Sequence, residues 1–349
     1  MSYERGRKAI FLDMPETIPH TEYVSHWEVV RHFAGLDPAD PDLRDEAYRR
    51  FYKAVDYDLL WASDDGPVPW QKRGRTTDMG HADWLPDASD RRMPVASPFA
   101  TVEDVLAFDA VEEYGLPDFD DLVEYYEGVY RCGQARHPGL VYPGGYYKTV
   151  VSGCIQAFGW EMFLLAAGYD ARAFDRVLES IYQLSLHHFR AWARTSIEAF
   201  ICHDDFVWTQ GAIFHPDWYR RHVFPRYAKL WSPLKEAGKR VLFCSDGNFT
   251  AFVDDVARAG ADGFIFEPVT SLETIVERYG KTHVVVGNVD CRILARGSRE
   301  EIRADVERCV RLGRDCPGYF LAVGNHIPFD VPLESVLYYL DLCRELGRR

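Results

Sequence analysis

Five short apolar runs in the second half of the chain each end in side chains able to move protons, hold a metal ion or grip a polar substrate. These tips are His203-Asp204-Asp205, Cys244-Ser245-Asp246-Gly247-Asn248, Glu267-Pro268, Gly287-Asn288-Val289-Asp290 and Gly324-Asn325-His326-Ile327-Pro328. Cys244, Asp246 and His326 supply the sulfur, oxygen and nitrogen donors that zinc accepts. An i, i+2 pair leaving a strand can turn both donors toward one ion, and a third ligand from a distant strand end leaves a coordination position open for substrate. Asp204, Asp205, Glu267 and His326 are the candidate acids and bases, because a carboxylate and an imidazole with separated pKa values can hand a proton between them. His203, Tyr147, Asn288 and Asn325 are the candidate substrate-binding groups. Each has a structural alternative. Asp204 and Asp205 could cap the next segment, Cys244 could be a small buried hydrophobe, Asp290 could fix a turn by pairing with Arg292, and His326 could bond to backbone. His187 and His188 sit within a helical stretch and read as packing residues, and His20, Glu22 and His26 as structural ones.

The elements that must position these tips repeat a simple unit: apolar strand, polar tip, amphipathic helix. The strands are read at Ile197–Cys202, Arg240–Cys244, Gly263–Phe266, His283–Val286 and Tyr319–Val323, and the helices at 216–237, 248–259, 271–279, 298–313 and 332–346. Ser298 and Glu301 form a capping box, and Pro216 and Pro332 stand where first-turn prolines are tolerated. Continuously apolar strands alternating with helices imply parallel strands buried on both faces. No GxGxxG follows any of these strands, so a dinucleotide fold loses its main support. The expectation is an α/β protein, a single (β/α)8 TIM-type barrel over residues 1–349, with chemistry at the C-terminal strand ends. In the first half, 43–61 reads as a helix running into the strand Tyr57–Trp61, and 118–136 and 154–194 as helical. The Pro-, Gly-, Asp- and Arg-rich stretch 64–98, with Trp70 and Trp84, reads as an insertion forming a lid or hairpins.

Composition narrows the partners. The formal net charge of −14 argues against nucleic acid and against a large polyanionic substrate. The eight cysteines are scattered with no CxxC pair, which fits reduced thiols. The start MSYERGRKAIF has no apolar leader core, and no apolar run reaches the ~20 residues of a membrane span. The expected location is the cytoplasm, with no membrane partner.

The tips, in this order, resemble those of the uroporphyrinogen decarboxylase superfamily, which also contains cobalamin-dependent methyltransferases. The resemblance runs over roughly residues 140–349 and rests on VLFCSDGN (241–248), GADGFIFEP (260–268), VVVGNVDCRILARGSREEI (284–302) and GYFLAVGNHIPFDVPLESV (318–336). It implies a (β/α)8 barrel. The departures bear on function. The decarboxylases carry an Arg-Gln-Ala-Gly-Arg stretch near the N-terminus that holds substrate carboxylates, whereas the region here is Ile18-Pro19-His20-Thr21-Glu22-Tyr23. The methyltransferase branch binds zinc through a His-x-Cys pair and a distal Cys. Cys244, Asp246 and Asn325 stand at those places, with His326 beside the last.

Three functions follow as expectations. The first is a methyltransferase moving a methyl group between a small donor, such as a methoxylated aromatic, and a corrinoid cofactor or corrinoid protein, with zinc assisting. An exposed aromatic rim would support it. The second is a decarboxylase acting on a small carboxylic or tetrapyrrole-like acid, which needs a basic side chain in the pocket, Arg292 being the best candidate. The third is a binding protein without catalysis. A homodimer is compatible with all three.

Overall fold

The computed structural model describes residues 2–79, 96–324 and 326–349, with the backbone of Asp83–Trp84 and Asp90–Arg91. Six parallel strands lie side by side in chain order: Gly144–Tyr146, Ala199–His203, Arg240–Ser245, Gly263–Phe266, Val284–Val286 and Tyr319–Phe320. Two further segments, 18–21 and 57–60, close this sheet into a ring. Leu321 N donates to Pro19 O at 2.8 Å and Thr21 N to Leu321 O at 3.2 Å. Asp58 N then donates to His20 O, Leu60 N to Val141 O and Val141 N to Asp58 O, each at 2.9 Å. Parallel bridges pair His20 with Leu321 and Leu59 with Val141. The fold is therefore an α/β barrel of the TIM type.

The strands are apolar throughout because both of their faces are buried, one inside the ring and one under helices. Alternate residues face inward. The interior cluster collects Leu59, Val141, Ala199, Ile201, Leu242, Cys244, Ile265, Val284, Val286, Phe320 and Ala322. Continuing that period two carries His203, Asp246 and Glu267 onto the interior side, one step above Ile201, Cys244 and Ile265. The N-terminal helix Ser2–Ile10 adds Ala9 and Ile10 to the same cluster, at the opposite end of the barrel. Arg5 fixes the helix through a bidentate bond to Asp58 (2.7 and 2.9 Å). Gly6 is required there, since a Cβ would stand 2.2 Å from Asp58 O.

The outer helices follow the predicted positions with physically explicable differences. The stretch 216–237 is two helices, Pro216–His222 and Phe224–Glu236. Pro225 lacks the N–H that would continue the first, and it stands in the first turn of the second, where a proline is tolerated. The Ser298 and Glu301 capping box is present, with Ser298 N donating to Glu301 Oε2 at 2.7 Å and Glu301 N to Ser298 Oγ at 3.3 Å. Val150–Tyr169 is long and apolar enough to span a membrane, but most of it is buried. It packs against Ala171–Ala193 and bends at Gly159 (φ 73°), so it is a core helix.

Trp70 is buried and stacks on Tyr114 at 4.3 Å, so it is core rather than lid. Asp83–Trp84 and Asp90–Arg91 pair antiparallel as a hairpin would. The Trp84 side chain lies outside the described residues.

Candidate active site at the barrel mouth

His203 is in register with Cys244 on the neighbouring strand, which places the imidazole over the thiol at the top of the barrel interior. The chain then turns, and Asp205 comes back against the ring, its Oδ1 3.1 Å from His203 Nε2. Asp205 is held from three sides. Asp246 N donates to Oδ1 at 2.8 Å, and Tyr147 Oη donates to Oδ2 at 2.6 Å. Tyr147 also stacks face to face on His203, centroids 3.9 Å apart and planes 12° apart. Ring and hydroxyl together leave His203 and Asp205 little freedom to rotate. Glu267 comes from the next strand end and accepts Gly247 N at 2.7 Å.

The electrostatics follow from crowding opposite charges at a partly buried mouth. Burial disfavours a charged His203, yet the fields of Cys244 and Asp205 and their hydrogen bonds outweigh it, holding its pKa well above the usual imidazole range. Burial also opposes ionisation of Asp205, but His203 and the donors from Tyr147 and Asp246 overcome it and hold the carboxyl below its usual range. Burial pushes the Cys244 thiol up despite the pull of His203. Burial and the Asp205 charge push the Tyr147 hydroxyl up, so it remains a donor.

His203, Asp205 and Asp246 each offer a donor atom within 4.8 Å of the other two. One imidazole nitrogen and two carboxylate oxygens, with a thiol adjacent, are donors that zinc or a similar divalent ion accepts. The donor set fits such an ion. Its membership differs from the Cys244, Asp246 and His326 set expected from the sequence. Cys244 flanks the group, Asp246 belongs to it, and His326 stands outside it. His326 lies in the short strand His326–Ile327 paired with Tyr23–Val24, where its ring meets Tyr23 at 5.9 Å. Burial lowers its pKa while Asp330 and Glu267 oppose this, so it is a neutral imidazole within the field of Glu267.

Two further candidates have structural tasks. Asp204 follows the inward His203 and so faces out, where it is fully buried. It accepts Ser152 N at 2.6 Å, Val151 N at 3.1 Å and Tyr227 Oη at 2.7 Å, capping the helix Val150–Tyr169. Asn288 is also buried and directed outward, its Nδ2 donating to Thr270 O at 3.0 Å and its Oδ1 3.3 Å from Arg308. Asn325 lies outside the described residues. The structural expectations for other polar groups hold. Asp290 caps Cys291–Arg296 and pairs with Arg292 at 2.6 Å. His26 caps Trp27–Ala34, His188 stacks in the core on Tyr146, and His20 bonds Glu22 at 2.9 Å.

Asp65 was missed by sequence reasoning. Its Oδ1 accepts Tyr147 N at 2.8 Å and its Oδ2 pairs with the buried Lys148 at 3.4 Å, so it sets the strand end that carries Tyr147. The signal was available, since Asp64-Asp65 follows the apolar run Tyr57–Trp61 just as the other tips follow their strands.

This arrangement has a known setting. Residues 160–346 match the family model described as uroporphyrinogen decarboxylase (URO-D). The chain belongs to the URO-D family. Among curated URO-D relatives, a uroporphyrinogen decarboxylase of Thermus thermophilus is 28% identical over 172 residues, 49% of this chain and 48% of that protein. That of Pelobacter propionicus is 26% identical over 172 residues, 49% of each. The chain therefore matches about half the length of these URO-D relatives. Among solved structures, a methyltransferase from Methanosarcina mazei superposes with a TM-score of 0.71 at 16% identity, covering 99% of this chain and 98% of that one. At that identity the likeness is one of fold, and it covers the N-terminal half that the family model does not reach.

Tyr147 gives the first prediction. Tyr147→Phe keeps the ring over His203 but removes the donor to Asp205 Oδ2. A second partner of this kind is worth roughly 10–100-fold in metal affinity. Titration with zinc should show a loss of that size at an unchanged melting temperature; an unchanged affinity would mean that stacking alone orients the pair.

Proposed function

We propose that this URO-D family member is a methyltransferase that moves a methyl group from a small methoxylated donor to a corrinoid carrier, with a divalent metal ion, most simply zinc, at His203, Asp205 and Asp246. The observation that carries this reading is that group of three donors at the mouth of the barrel. A metal ion bound there would supply Lewis acidity to the oxygen from which the methyl group departs. A reduced corrinoid docked at the mouth would supply the acceptor for the methyl carbon, the donor oxygen would keep the bonding pair, and an acid at the mouth would supply the proton that completes the product.

The side chains divide the remaining work. Asp205 and Asp246 hold negative charge at the mouth, and Tyr147 locks the first of them. Glu267, anchored by Gly247 N, stands one strand away as the candidate to hold or release the proton, with neutral His326 in its field. The rim suits a flat substrate and a docking carrier. Trp208, 51% exposed, follows the strand of His203, accepts Asn248 N through its carbonyl at 2.9 Å and meets Trp160 at 5.8 Å. Tyr23, also 51% exposed, lies against His326.

The decarboxylase reading draws on the relatives that match about half of this chain, but two candidate cations for it among the described residues are already engaged. Arg292 is exposed and chelates Asp290, and Lys148 is paired with Asp65 over the Trp70 ring. Metal analysis of untagged protein purified without chelators tests the proposal. About one ion per chain in wild type, lost in His203→Ala and Asp246→Ala, is expected. Anaerobic assay with reduced cobalamin and a methoxylated aromatic should then form methylcobalamin. A folded, metal-free wild type that fails to methylate cobalamin would remove this reading.

A further inference from the structure

A cavity lies outside the barrel wall, between the helices Pro41–Val55 and Phe119–Arg136. It has a volume of about 710 Å³, within the usual range of small-molecule sites, and four tyrosines line it: Tyr48, Tyr52, Tyr125 and Tyr142. We infer that this cavity is a binding site for a neutral, flat aromatic alcohol of one or two rings, separate from the barrel mouth.

Three observations point to a ligand. First, Phe119–Arg136 carries two glycines in its interior, each costly to a helix relative to alanine. Gly133 is accounted for by packing, since a Cβ there would stand 2.3 Å from the Tyr142 ring. Gly128 has no such reason. Nothing lies within 4 Å of where its Cβ would be, and the position lines the cavity. A side chain at Gly128 would fill the space, and glycine keeps it open. Second, the hydroxyls of Tyr52 and Tyr142 have no hydrogen-bond partner among the described residues, although burial pushes both pKa values up. Two protonated hydroxyls in an aromatic-walled cavity can donate to and accept from a ligand hydroxyl.

Third, the charge balance selects a neutral guest. The cationic groups of the lining are already engaged: Arg136 with Asp45 at 2.8 Å, and Arg44 with Pro38 O at 2.9 Å. The carboxylate of Glu124 also lines the cavity and would repel an anion. The cavity adjoins the loop that supports the mouth, because Tyr125 Oη donates to Asp64 at 3.1 Å.

The test uses 2-naphthol as the probe, followed by its fluorescence and by protection of Cys132. This cysteine lines the cavity and is the one exposed cysteine among those of the described structure, so N-ethylmaleimide should reach it first. Wild type should bind saturably, with Kd on the order of 0.1–1 mM for so small a ligand, and binding should slow Cys132 alkylation in step. Gly128→Leu should fill the cavity and weaken binding at least about tenfold. Its melting temperature should be equal or higher, because leucine is the better helix former. Tyr52→Phe should weaken binding by roughly 3–10-fold. Asp246→Asn, at the mouth, should bind the probe as wild type does. Wild-type affinity in Gly128→Leu, binding that leaves Cys132 unprotected, or no saturable binding by wild type would each overturn the inference. Loss in Asp246→Asn alone would place the probe at the mouth instead.

Discussion

Asp205→Ala is expected to give a folded barrel that has lost at least about 100-fold in metal affinity, with kcat/KM for methyl transfer lower by roughly 10²–10³-fold. The size follows from the number of contacts that converge on one carboxylate. Asp205 is a donor of the three-residue group, the partner of His203 Nε2 at 3.1 Å, and the acceptor for Asp246 N and Tyr147 Oη. Removing it would delete one candidate ligand, free the second to rotate and leave the loop of the third without its anchor. The fold should survive because the carboxylate sits at a partly open mouth, where water can take over the abandoned donors. Metal stoichiometry, zinc titration and a denaturation curve on the same preparation separate the effects. Full metal content with undiminished turnover would sink the assignment of this group.

Asp204→Ala, one residue away, should do the opposite. Its carboxylate is fully buried and satisfies two backbone amides at the start of Val150–Tyr169 and the hydroxyl of Tyr227. Burial raises its pKa while these donors oppose the rise. Deleting it strands buried donors that cost about 1–3 kcal/mol each, so a loss on the order of 3–5 kcal/mol is expected. A lower urea midpoint with an unchanged m-value would report it. Metal affinity of the fraction that remains folded should stay near wild type. A stability within about 0.5 kcal/mol of wild type would mean that water reaches this cap.

The two neighbours show how far the sequence can be read. His203-Asp204-Asp205 is legible as a polar tip after an apolar strand, but its three side chains go to different places. Period two sends His203 inward and Asp204 outward, and that much is local geometry. The return of Asp205 to the interior depends on the turn after the strand and on Tyr147, 58 residues away along the chain. Asn288 ends its strand in the same style, yet its amide is turned to Thr270 O and Arg308. Composition at a strand end thus marks a candidate without saying which wall of the barrel the side chain serves.

The sequence by itself determined the α/β alternation, the strands of the second half, the capping box at Ser298 and the kinds of donor available at the mouth. These depend on periodicity and on contacts a few residues apart. The strand at Tyr57–Trp61 was legible as an apolar run, but tertiary structure alone decided that 18–21 stands beside it to complete the ring, since 18–21 is too short and too mixed in composition to announce a strand. It also decided which side chains stand together at the mouth. His203 lies in register with Cys244, whereas His326 pairs with Tyr23 near the other end of the chain. Register and ring closure are relations between distant segments, fixed by the packing of the whole barrel, and no window of sequence contains them.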